Sequence, residues 1–192
     1  MKQVIAINSH LTTNGYLVNL LNSIGDYKKY PVIVLRHGKW ELECLRWFKE
    51  DTNYDEMFLL HDTTVINDLG LFDIVFDLHR GKSVSLSSDY CSYLGKYCRS
   101  VLEEMEIPAS RSKIDSIRYE GAFNREYVKR CKQGEFISLF GDFGRSFYRG
   151  NRIEEVFGEQ RMVSENEFIK KYKGIYNADK LKQYKERLAN ES

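Results

Sequence analysis

The groups of this chain best placed to do chemistry are polar and ionisable residues that end apolar runs. Met57-Phe58-Leu59-Leu60 is a buried-strand pattern that stops abruptly on His61 and Asp62, with Thr63 and Thr64 next. Gln3-Val4-Ile5-Ala6-Ile7 stops on Asn8, Ser9 and His10, and Val32-Ile33-Val34-Leu35 stops on Arg36, His37 and Gly38. A carboxylate at a strand end offers the hard oxygen that a divalent cation bridging a diphosphate requires. The plainer reading of any single end is a turn, because Asp followed by Thr-Thr is also good turn and cap chemistry. Three polar ends in series favour a site.

The elements between them say how they meet. Leu17, Val18, Leu20, Leu21 and Ile24 recur at helical spacing after possible caps at Thr12, Thr13 or Asn14, and Gly25 stops that helix. A second helical segment, Trp40 to Glu50, places Leu42, Leu45 and Phe48 on one side. Strand, helix, strand, helix, strand with short connections implies right-handed crossovers and a parallel sheet. The carboxyl ends of such strands open into a crevice that the crossover helices leave uncovered. Residues 8 to 10, 36 to 38 and 61 to 63 are therefore expected at one rim, whereas His79 reads as a loop residue.

Composition bounds the rest. A length of 192 residues suits one domain with a sizeable core, expected to span 1–192, and a net charge of +1 supplies no global field toward nucleic acid. The four cysteines, Cys44, Cys91, Cys98 and Cys131, form no Cys-x-x-Cys pair, which argues against a zinc ribbon and a disulfide framework. Cys91 and Cys98 are spaced to share a helix face. No apolar run approaches the ~20 residues of a membrane span. A soluble, cytoplasmic protein is expected.

In the second half, Gly81 to Ser87 alternates as a half-buried strand, and Ser92 to Glu106 has helical spacing, with Lys96 and Arg99 on one face. That face is either solvated or a phosphate clamp. Ile114 to Phe123 reads as strand or loop leading into a helix from Asn124 to Cys131. Phe140 to Arg152 is an aromatic, basic loop in which Arg145, Arg149 and Arg152 are candidates to reach phosphate. Its Asp142-Phe143-Gly144 triplet lacks the glycine-rich loop and the His-Arg-Asp element of a kinase. The charge-rich tail from Glu165, with Lys170-Lys171-Tyr172-Lys173-Gly174, is expected to be helical.

The order of elements over residues 3 to 90, and Tyr54 to Ile66 followed by Asn67 to Phe72, resembles the amino-terminal half of GT-A-fold glycosyltransferases. The resemblance implies a Rossmann-like α/β fold, with a mostly parallel sheet flanked by helices. Residues 1–90 would form the donor-nucleotide half, and 91–192 an acceptor half with a helical tail. It implies transfer of a sugar, hexosyl in type, from a sugar nucleotide such as a UDP donor, with Mn or Mg on the diphosphate. Asp62 would be the metal ligand, and Asn8, Ser9, His10, Arg36, His37, His61, Asp62 and Thr63 would line the donor site. Glu120 would be the general base if the reaction inverts, with Glu126 or Asp115 as replacements. The family's Asp-x-Asp element is His61-Asp62-Thr63 here, with one carboxylate instead of two. Lys or Arg side chains on the diphosphate are accordingly an alternative to metal. The acceptor is open: a saccharide, a protein or modified DNA. The competing reading is a non-catalytic nucleotide- or nucleic-acid-binding module on the same sheet.

Overall fold

Three strands of the expected parallel set form side by side in the computed structural model, which describes residues 1–9, 14–36, 40–88, 90–110, 113–141, 156–157, 160–174, 186 and 190. Strand β1 (Gln3–Asn8) leads to helix α1 (Asn14–Ile24), β2 (Val32–Leu35), α2 (Glu41–Asp51), β3 (Glu56–His61) and a short β4 (Thr64–Ile66). Helix α3 (Gly70–Asp73) runs on as a π-helical turn over Ile74–Leu78 and is followed by β5 (Ser83–Ser85), β6 (Gly95–Cys98) and α4 (Arg99–Glu103). The chain continues through α5 (Lys113–Arg130), β7 (Phe136–Ser138), β8 (Val156–Phe157), β9 (Gln160–Glu165) and β10 (Ile169–Gly174). The main sheet has six strands in the order β2-β1-β3-β6-β5-β7, and β4-β10-β9-β8 make a second sheet. In the main sheet β1 runs parallel to β2 and β3, and β5 parallel to β7; β6 alone is antiparallel to both of its neighbours. This is the expected mixed α/β domain with a mostly parallel sheet.

Alternation along the central strands divides the core into two layers, as a side-chain period of two demands. Ile5, Ile7, Phe58 and Leu60 pack with Leu17, Leu20 and Ile24 of α1 and with Leu71, Phe72 and Phe76. Val4, Ala6, Met57 and Leu59 face the other way, onto Leu42, Leu45 and Phe48 of α2 and Phe123 and Tyr127 of α5. Both faces of the sheet are covered, so β1 and most of β3 read as unbroken apolar runs. No described helix is long and apolar enough to cross a membrane.

Three expected elements come out differently. The helix expected from Ser92 contains strand β6, because residues 95–98 complete hydrogen bonding between β3 and β5, and this non-local pairing overrides the local spacing. Gly95 permits it: a Cβ there would fall against the Val84 carbonyl oxygen and 2.6 Å from Tyr90 Cε1. Cys91 and Cys98 then share no helix, and Cys98 is a buried free thiol. Residues 113–130 form one helix in place of a strand or loop with a later helix, since Ser116, Phe123, Asn124 and Tyr127 fall on one buried face at helical spacing. The tail expected to be helical from Glu165 contains strand β10, reached from β9 through a turn in which Asn166 Oδ1 accepts the N–H groups of Phe168 at 2.9 Å and Ile169 at 3.0 Å.

The basic pair Lys96 and Arg99 is structural. The Arg99 guanidinium donates to the carbonyls of Phe48 at 2.6 Å, Lys49 at 2.5 Å and Tyr54 at 2.6 Å, closing the carboxyl end of α2, and lies 4.9 Å over the Phe48 ring. Lys96 is fully buried and donates to Glu56 Oε1 at 2.9 Å and to the His79 carbonyl at 2.8 Å. Glu56 also accepts from Gln3 Nε2 at 2.5 Å and from the Gly81 N–H at 2.6 Å. Burial pulls the Lys96 ammonium below its ordinary range, against the upward pull of Glu56. Removing one partner leaves a charge in the core, whereas removing both charges does not. Lys96→Met is therefore expected to lose about 3–5 kcal/mol in denaturant unfolding, and the double variant Lys96→Met with Glu56→Gln to lose less.

Candidate functional site

Register places the polar strand ends at one rim. Asn8 lies opposite Leu35 on one side and His61 on the other. The ladder runs on past the strands, for Ser9 N–H donates to the Leu35 carbonyl at 3.1 Å and Asp62 N–H to the Asn8 carbonyl at 3.1 Å. Asn8, Ser9, Asp62 and Thr63 are thereby fixed by backbone hydrogen bonds at the carboxyl edge of the parallel strands. Arg36 follows β2 directly and is exposed. His10 and His37, and the loop residues Arg145, Arg149 and Arg152, lie outside the described residues.

Among the described residues, the buried Asn8 Oδ1 and Ser9 Oγ at this edge have no hydrogen-bond partner, and neither do Tyr27 Oη, Asn124 Oδ1 and Asn166 Nδ2 in other parts of the chain. Asn8 is 8% exposed and Ser9 fully buried. An unpaired buried amide or hydroxyl oxygen costs about 1–3 kcal/mol, and such groups concentrate where a ligand or water completes the bonding.

The turn after β3 is held from two directions. Thr64 Oγ1 donates to the His61 carbonyl at 2.6 Å, and Tyr172 N–H of β10 donates to the Thr63 carbonyl at 2.7 Å. Antiparallel pairing sets Lys171 of β10 opposite Thr64. The largely buried Lys171 ammonium then stands 2.6 Å from Thr63 Oγ1 and 3.3 Å from His61 Nδ1. On the far side of the ring, His61 Nε2 is 3.4 Å from Glu41 Oε1, close enough for a charge interaction when the imidazole is protonated but without hydrogen-bond geometry between them. The imidazole is thus flanked by a carboxylate and an ammonium.

Glu41 ties this cluster to α5. Its Oε2 accepts from Ser116 Oγ at 2.8 Å, and the Ser116 carbonyl accepts from the Tyr93 hydroxyl at 3.0 Å. Burial, and then the carboxylates of Glu120 and Glu41, hold the Tyr93 phenol above its ordinary range. Glu120 therefore lies in the same neighbourhood, one turn beyond Ser116, but it sits inside α5 and does not open a helix. Its Oε1 accepts the Ser92 N–H at 2.5 Å, steadying a segment in which Tyr90, Ser92 and Tyr93 all take positive φ.

The resemblance implies a divalent cation at Asp62, and the donor set is a test of that. Asp62 is the one carboxylate in the His61-Asp62-Thr63 turn, and the ammonium of Lys171 stands beside the same turn. Among the described residues no three His, Cys, Asp or Glu side chains gather to hold a metal ion. Such a set fits a protein-held divalent cation poorly.

Glu41 and Lys171 are the groups that sequence patterning did not single out for the site. Glu41 had a signal, since it stands in the first turn of the helix that follows the second strand. Lys171 had a weaker one, a basic and aromatic run that suits a strand as well as a helix.

No protein-family model and no curated protein sequence matches this chain. Among solved structures it is similar to the crystal structure of S. aureus TarS, at 12% identity over 73% of this chain and 35% of that one, with a TM-score of 0.48. It is similar also to the crystal structure of A197 from STIV, at 12% identity over 92% of this chain and 97% of that one, with a TM-score of 0.50. The chain thus spans well under half of TarS and nearly all of A197. At this identity the likeness shows the fold, a glycosyltransferase-like α/β arrangement of Rossmann type.

The hydrogen bond from Ser92 N–H to Glu120 carries a charge and is partly buried, a kind that contributes about 1.5–3 kcal/mol. Glu120→Ala is expected to lower the unfolding free energy by that amount in urea titrations. An unchanged midpoint would show that the carboxylate has no holding role on residues 90–93.

Proposed function

We propose that this chain is a glycosyltransferase of the GT-A type, moving a hexosyl group from a nucleoside diphosphate donor such as a UDP-sugar to a hydroxyl acceptor. The observation that carries the reading is the pair of unpartnered buried oxygens, Asn8 Oδ1 and Ser9 Oγ, at the carboxyl edge of three parallel strands. In an α/β sheet this edge is where nucleotides are held, and amide and hydroxyl oxygens there accept from a base or ribose. Asp62, Thr63, His61 and Arg36 border the same edge, with His10 and His37 assigned to it by sequence. The glycosyltransferase-like fold adds support at the level of architecture.

The chemistry asked of these side chains is limited. A carboxylate takes the proton of the acceptor hydroxyl as its oxygen bonds to the anomeric carbon. The bond from that carbon to the diphosphate breaks, and the nucleoside diphosphate leaves with the electron pair. Charge grows on the leaving phosphate oxygens, so a cation fixed beside them lowers the barrier. Glu120 is the base assigned by resemblance, and Glu41, nearer to His61, is the second candidate.

The single carboxylate of His61-Asp62-Thr63 favours the other reading, a nucleotide-binding module without turnover. Thermal melting with a panel of sugar nucleotides, each with manganese and with chelator, followed by product assays, separates the two. A true donor at about 100 times its Kd is expected to add about 2.7 kcal/mol, or roughly 5–10 °C in Tm. Transfer or hydrolysis of that donor is expected, and Asp62→Ala should abolish whatever part of it depends on manganese. Binding without turnover would favour the module, and no shift with any donor would overturn both readings. Of Glu41→Gln and Glu120→Gln, the variant that loses about 10²-fold or more in kcat while keeping the donor-induced shift identifies the base.

A further inference from the structure

We infer that Cys98 and Cys131 are a disulfide-forming pair, a cross-link from strand β6 to the carboxyl end of helix α5 that the folded chain makes by exchange with a small-molecule disulfide. The inference stands apart from the donor-site reading, and either can fail without the other. Sequence spacing argues against a disulfide framework and does not announce this pair, because α4 and α5 both lie between its members. The fold brings them together around Tyr127. Its hydroxyl accepts the Cys98 N–H at 2.8 Å and stands 2.8 Å from Ser83 Oγ, while Cys131 Sγ donates to its carbonyl at 3.4 Å. The Ser83 hydroxyl is in turn a hydrogen-bonding neighbour of both thiols. Two sulfurs that share one oxygen lie within about two hydrogen-bond lengths of each other. Bridging asks for a Cα separation of about 4.4–6.8 Å, and Cys131 is the member placed to adjust, since it follows the last residue of α5.

The two thiols differ in access. Cys98 is 5% exposed, whereas Cys131 is only partly buried, so Cys131 meets the small-molecule disulfide first. Its thiolate bonds to one sulfur of oxidised glutathione, the S–S bond breaks, and one glutathione leaves as a thiolate that takes up the proton Cys131 gave. The Cys98 thiolate then bonds to the Cys131 sulfur, and the second glutathione leaves with the electron pair and gains the Cys98 proton. The protein loses two electrons and two protons, and one oxidised glutathione becomes two reduced ones. Burial pushes the Cys98 thiol up to about 11 and the Cys131 thiol upward as well, each against the lowering effect of the Ser83 hydroxyl. Thiols held protonated exchange slowly, and thiolates of high pKa are poor leaving groups, so the cross-link once formed resists reduction. That is the behaviour of a structural bridge and not of a fast sensor. It pins α5, the helix that carries Ser116 and Glu120, to a strand in the interior of the main sheet.

The test incubates the folded full chain with oxidised glutathione, blocks the remaining thiols with N-ethylmaleimide in denaturant and maps peptides without reduction, with dithiothreitol-treated protein as the reference. A peptide pair joined through Cys98 and Cys131 is expected, with the fully buried Cys44 recovered as a blocked thiol. The oxidised protein should melt roughly 5 °C or more above the reduced form, since the bridge closes a loop that holds two helices. Cys131→Ser is expected to show no oxidant-dependent change in Tm. Glutathione retained on Cys131 with Cys98 free, a bridge through Cys44 or Cys91, or no reaction of either thiol would overturn the inference. A Cys98–Cys131 bridge that leaves Tm unchanged or lowers it would overturn the pinning of α5. The wild-type peptide map decides the matter even if Cys131→Ser does not fold, and none of these outcomes bears on donor binding, which the sugar-nucleotide panel reads separately.

Discussion

The constraint from which the rest follows is the position of β1 between two parallel neighbours. Asn8 can stand beside both Leu35 and His61 only if the three strands end level. A slip of one residue in either pairing would turn Ile5 and Ile7 out of one layer and Val4 and Ala6 out of the other, at the cost of both cores. Hydrophobic packing on two faces thus sets the register, and the register sets where the polar ends come out. The groups at the rim need no mutual attraction to be brought together.

A second consequence of that frame is an unequal distribution of polar satisfaction. At the amino end of β3 the buried charges of Glu56 and Lys96 are each met by two or more protein partners. At the carboxyl end of β1, on the same sheet, Asn8 Oδ1 and Ser9 Oγ are not met. Among the described residues Tyr27 Oη, Asn124 Oδ1 and Asn166 Nδ2 are likewise unmet, so the orphaned state is shared with other parts of the chain. Within the main sheet itself, the contrast separates the amino end of β3 from the carboxyl end of β1.

How much of this was legible beforehand depends on whether the deciding contacts are local. Strands β1, β2 and β3 and helices α1 and α2 announce themselves through short apolar runs and helical periodicity, and the polar residues at the strand ends come with them. Strand β6 does not, because what makes residues 95–98 a strand is a vacancy between β3 and β5 and a glycine with no room for a side chain. Helix α5 hides for a related reason: β-branched residues at 114 and 117 favour a strand reading, while the buried stripe of Ser116, Phe123, Asn124 and Tyr127 has meaning only once the sheet it covers exists. Lys171 is the extreme case. Its own segment says little, and its place is decided by a pairing with residues near the middle of the chain.

That last pairing has a consequence in time. A protein made from its amino end has β1, β2 and β3 before β10, yet the ammonium beside Thr63 is contributed by a residue synthesised 108 positions after it. Until then a growing chain carries the polar end of β1 with no cation from β10 near the turn that follows β3. Completion of the polar rim is in this sense a late event of biosynthesis, separated from formation of the sheet that bears it.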